Sequence, residues 1–184
     1  MKSKWAQGLR PRAFVWVIKD RIAASERPGG YARNHRKVRR DEELIWLGQQ
    51  GFTHVLSLLD SPHNLQAYEE AEIAHAHVPL GRPGAEAEHL RPIYETLLRW
   101  YGDPTEKVLM HHEEFGDRLA GVIGGFLLAA GLIDHAPHAI TVTERLTRRQ
   151  LGPEGREIVR VTVEEGFAGM EVPPLQDEAP PLSP

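Results

Sequence analysis

The side chains of this sequence that could do chemistry crowd into one stretch, His111-His112-Glu113-Glu114-Phe115-Gly116-Asp117-Arg118. An apolar run, Lys107-Val108-Leu109-Met110, precedes it and reads as a strand. A long apolar run from Arg118 to Leu132 follows and reads as a helix. A loop that ends at a helix N-terminus gathers backbone N–H groups and the positive end of the helix dipole. An arginine there adds a planar fork suited to a tetrahedral oxyanion. The eight residues 111–118 are therefore the candidate ligand-binding set, with Arg118 as the fork. His112 is also a possible phosphoryl acceptor. Two imidazoles beside Glu113 and Glu114 form a donor set that zinc-like ions accept. Neither a metal nor a cofactor is required by the sequence, but His111, His112, Glu113 and Glu114 are the ligands to examine.

Each candidate has a plain reading beside it. Arg118 can prop the loop by pairing with Glu113, Glu114 or Asp117, and this is the favoured reading. His111 can hydrogen-bond the loop backbone. His75 and His77 alternate on one face of a strand and read as ordinary strand residues. The three loop acids oppose a phosphate dianion, so an anion site here needs compensating positive charge.

Such charge exists. Residues 1–40 carry a net charge of +10 and the remaining residues −14, giving −4 for the 184-residue chain. The densest basic run, 33–40, could meet an acidic partner. With only Tyr31 beside it, and no nucleic-acid module pattern, the run argues against nucleic acid. The composition contains no cysteine. That excludes a disulfide scaffold, a thiolate metal site and a thiol nucleophile. No apolar run reaches membrane-spanning length, and no secretory signal follows Met1. A cytoplasmic protein is the expectation.

The elements that must position the loop alternate between strand and helix. Strands are expected at 14–18, 21–24, 53–59, 73–80 and 107–111. Helices are expected at 42–50 with Asp41 as N-cap, then at 65–72, 85–101, 118–132, 136–150 and 152–166. Gly121, Gly124 and Gly125 imply close packing of the fourth of these helices. Trp16, Trp46, Tyr94 and Trp100 are expected in or near the core. The pattern predicts an α/β fold of three layers, with a central, mostly parallel sheet of four to five strands flanked by helices. One domain at 14–167 is expected, between a basic segment at 1–13 and a proline-rich, disordered tail at 168–184.

The order of these parts resembles the cysteine-based protein tyrosine and dual-specificity phosphatases. The stretch 111–118 is similar to their signature loop, His-Cys, five residues, then Arg. His111 and Arg118 match, and the similarity extends across about residues 14–165. Where the resemblance implies a nucleophilic thiolate, this chain has His112. Where it implies a hydroxyl after the arginine, Leu119 stands. The expected general-acid position, three residues after Pro79, is Arg82. The expectation is a phosphatase-like domain without cysteine-dependent catalysis, a pseudophosphatase that binds rather than hydrolyses. Its partner would be a phosphorylated protein, a small phosphorylated ligand or an acidic partner. Two alternatives remain open: hydrolysis through His112 with Glu86 or Glu88 as acid, and a His/carboxylate metal site.

Overall fold

The computed structural model describes residues 8–171. Residues 1–7 of the basic segment and the proline-rich residues 172–184 lie outside the described residues. The chain opens with β1 (Val15–Ile18) and β2 (Ile22–Glu26), followed by a 3-10 turn at Ala32–Asn34 and α1 (Lys37–Gln49). Then come β3 (His54–Ser57), α2 (Leu65–Glu70), β4 (Ala74–His77) and α3 (Glu86–Gly102). The last elements are β5 (Val108–His112), α4 (Asp117–Ala129), α5 (Ala136–Thr147) and α6 (Pro153–Glu164).

The five strands lie in the order β1-β2-β5-β3-β4, and only the β1–β2 pair is antiparallel. This is the expected α/β architecture, a mostly parallel sheet with helices on both faces. Strand alternation explains the two cores. Val108 and Met110 of β5 join Ile22, Ala24 and Leu56 against α3, α4 and α6. Leu109 joins Ala23 and Val55 on the other face, against Leu44 and Leu47 of α1 and Ala67 and Tyr68 of α2.

Helix α4 is apolar almost all round because it is enclosed almost all round, with Leu119 to Ala129 buried. Its glycines permit the enclosure. A Cβ on Gly121 would sit 2.7 Å from the Cα of Gly155 in α6. Tyr94 is fully buried, and Trp16 stacks on Phe52 at 5.6 Å between ring centroids.

One helix start differs from the expectation. Asp41 does not cap α1; the helix begins at Lys37, with Arg36 at the N-cap and no side-chain cap. The Arg36 N–H donates instead to the Gly29 carbonyl at 2.8 Å. One turn on, Lys37 pairs with Asp41 and Arg39 with Glu43, both at 2.7 Å. The basic run is thus partly answered by acids on the same helix. The ends of the described chain are also fastened: Leu9 donates to the Glu42 carbonyl, and Gly169 and Met170 to those of Leu128 and Ala129. No helix among the described residues is long and apolar enough to cross a membrane.

Candidate functional site

The loop between β5 and α4 emerges at the carboxyl ends of the parallel strands, where open α/β sheets gather ligand-binding groups. Strand register sets a polar rung beneath it. Ser25, His111, Ser57 and His77 are consecutive partners across β2, β5, β3 and β4. His111 is fully buried in that rung, and its Nε2 meets the Tyr68 hydroxyl at 2.7 Å. This contact with α2 is not signalled by the sequence. Burial is the main reason that its pKa falls to about 3, with the neighbouring His112 and Arg27 acting in the same direction. The ring is therefore neutral at pH 7. Tyr68, equally buried, is pushed up and keeps its proton.

His112 ends β5 and is half-buried. Burial, then the positive charge of Arg118, hold its pKa below the ordinary histidine value. It is a neutral imidazole, with no hydrogen-bond partner for its ring among the described residues. Glu113 faces Arg27, with Oε2 3.4 Å from Nη1. Glu114 is exposed. Phe115 is buried, and its carbonyl accepts from Arg149. Gly116 is the N-cap of α4.

Asp117 turns away from the loop. Its Oδ1 accepts the Gly152 N–H at 2.6 Å and its Oδ2 the Gly155 N–H at 2.8 Å, capping the start of α6. Arg118 does not pair with Glu113, Glu114 or Asp117. Its Nη1 donates to the Gly81 carbonyl at 2.6 Å and its Nη2 to Glu86 at 3.3 Å, across the loop between β4 and α3. Glu86 is also held by the Gly84 N–H at 2.9 Å. The favoured ion-pair reading of Arg118 is right in kind and wrong in partner. The reason is tertiary: Glu86 is buried, so its charge demands a buried cation.

The loop therefore uses its charges for the fold. Its backbone is less committed: the N–H groups of Glu114, Phe115 and Gly116 find no acceptor among the described residues. Arg82, at the expected acid position, is exposed, and so is Glu88. Among the described residues, no three of His, Asp and Glu are placed to hold a metal ion, so the donor set suggested by the sequence is not assembled. His77 bonds the Leu59 carbonyl at 2.7 Å and His75 lies beside Tyr68.

Tyr68, Arg27 and Arg149 escaped the sequence reading. Each meets the loop from 34 to 86 positions away in the chain, and no local pattern signals such a contact.

No protein-family model matches this sequence, and no curated protein sequence does. Solved structures do match. "Tk-PTP in the active form" superposes with a TM-score of 0.65 at 18% identity, over 84% of this chain and 97% of that one. The kinase associated phosphatase, carrying serine for its catalytic-site cysteine, gives 0.69 at 16%, over 84% and 96%. The core catalytic domain of the PP-IP phosphatase SIW14 from S. cerevisiae, in complex with citrate, gives 0.57 at 14%, over 89% and 99%. The chain is structurally similar to cysteine-based phosphatases of the protein tyrosine and dual-specificity type, at low identity, and it has no cysteine.

Proposed function

We propose that this chain is a non-catalytic phosphatase-like module that binds a phosphorylated or acidic group at the loop 111–118 without hydrolysing it. One observation carries the reading: Arg118, the only arginine of the loop, is committed to Gly81 and Glu86. With two of its five donors and much of its charge engaged by Gly81 and the buried Glu86, the fork is a weaker stabiliser of charge developing on a transferring phosphoryl group. The other positions agree. The site has no thiol, His112 has no hydrogen-bond partner among the described residues to activate or orient it, and the acid position offers Arg82. Leu119, where a hydroxyl would assist, packs into the core. The loop N–H groups without acceptors and their place at the strand ends support binding.

The test is turnover of phenyl phosphate by metal-analysed protein, comparing wild type with His112→Ala and His112→Cys. No turnover by wild type or His112→Ala is expected, and His112→Cys stays inactive while Glu86 holds Arg118. Turnover by wild type that vanishes in His112→Ala would establish the His112 hydrolase instead.

A further inference from the structure

A second buried arginine, Arg27, lies on the opposite side of the loop from Glu86. Arg27, Tyr31, Ala32, His35, His63 and Glu113 line an open pocket of about 410 Å³. The pocket lies at the carboxyl ends of β2 and β5, and His63 comes from the segment after β3. We infer that this pocket, rather than Arg118, receives the phosphate group of the ligand, and that Arg27 is its principal contact. The inference rests on the binding reading above and adds where, and through which residue, the anion is held.

Arg27 is fixed for such a role. Its backbone N–H donates to the Glu113 carbonyl at 3.4 Å, and its own carbonyl accepts from Gly30 at 2.9 Å. The turn beyond it is held from two further sides. The Gly29 N–H donates to the buried Glu43 at 2.7 Å, and Asn64 Nδ2 donates to the Pro28 carbonyl at 2.8 Å. Gly29 has φ +90°, and a Cβ there would sit 2.8 Å from the Cβ of Arg40. The backbone carrying Arg27 is thereby preorganised.

The guanidinium itself is under-used. Arg27 is 7% exposed, yet its Nε, like that of Arg118, has no hydrogen-bond partner among the described residues. Its single carboxylate contact is the 3.4 Å approach to Glu113, whose side chain is 38% exposed. A phosphate dianion can displace Glu113 into solvent and accept from the fork with better geometry.

Burial first, then the charges of Arg27 and Arg40, hold the pKa of the lining residue His35 down. Glu113 is the acid among the lining residues. The pocket is open, with room beyond a bare phosphate for the rest of a phosphate monoester.

The experiment is nitrogen-15 NMR of the histidine side chains, with inorganic phosphate and phenyl phosphate titrated separately. Saturable shifts of His35 and His63, larger than the shift of His112 beside the displaced Glu113, are expected from either probe. Tighter binding of phenyl phosphate marks the ester as the better occupant. Arg27→Lys should weaken binding at least tenfold, by the loss of the fork, and exposed His63→Ala a few-fold. Glu113→Gln should tighten it a few-fold, because the competing charge is gone. Movement of His112 alone, no saturable shift with either probe, unchanged affinity in Arg27→Lys, or weaker binding in Glu113→Gln would each overturn the inference. Phenol release in the same samples reports separately on the non-catalytic reading.

Discussion

Arg118 and Arg27 flank the same loop, and each faces a glutamate, but the two pairs have different purposes. Arg118 and Glu86 are 12% and 5% exposed in their side chains, and both also bond the backbone of the segment between β4 and α3. Arg27 is just as enclosed, at 9%, and its contact is of similar length, but its glutamate is 38% exposed. A charge is costly to leave alone only where water cannot reach it. The first pair is therefore a rivet between two loops. The second is a buried cation with a replaceable partner, which is the arrangement that an exchangeable ligand needs.

Removing each glutamate in turn separates the two settings most strongly. Glu86→Ala leaves Arg118 buried and unpaired, so about 3 kcal/mol of stability should be lost. Glu113→Ala, where the carboxylate is 38% exposed and water can take its place, should cost less, about 1 kcal/mol. Urea denaturation of the two variants measures the contrast directly, and equal losses would abolish the distinction between rivet and replaceable partner.

Asp117 tests whether the rest of the loop belongs with Arg118. It accepts two N–H groups at the start of α6, so Asp117→Ala should lose about 1–2 kcal/mol, the range of a lost helix cap. Asp117→Asn keeps one acceptor oxygen and should recover part of that loss. A silent Asp117→Ala would show the cap to be dispensable and would leave the carboxylate free to influence the anion.

The elements behind these contrasts were legible in unequal degree. β5 and α4 were evident because their apolar runs have the length and glycine content of buried elements. The loop between them was evident from its concentration of polar side chains. Partners were not. Glu86 was named as a possible acid because it is a carboxylate at the start of a helix. Only the fold brings it within 3.3 Å of Arg118. Asp41 looked like an N-cap because Asp is a good one. The chain instead starts α1 five residues earlier, where Arg36 bonds Gly29 and Lys37 can pair with Asp41. Local chemistry marks which residues are able to interact, and the register of distant segments decides with which.

His111 shows the same rule beneath the loop, and its prediction is the smallest. It is as buried as Glu86 but meets its setting by discarding charge rather than by pairing. Its pKa is about 3 in the folded chain, against about 6.5 in an unfolded one. Between these values the unfolded chain holds a proton that the folded chain refuses. The contribution is intact above pH 6.5 and is lost as the pH falls toward 3, with a slope of at most about 1.4 kcal/mol per pH unit. Over the first unit below 6.5 the loss should be about 1 kcal/mol. His112, also held low, adds a slope of the same sign. His111→Gln should therefore flatten the stability profile in this window without making it level. That variant starts from a lower stability at pH 7, because the Tyr68 contact is altered, so the slope and not the absolute value is the measurement. An unchanged slope would mean that His111 takes up its proton in the folded state, and that the rung under the loop is wetter than its burial implies.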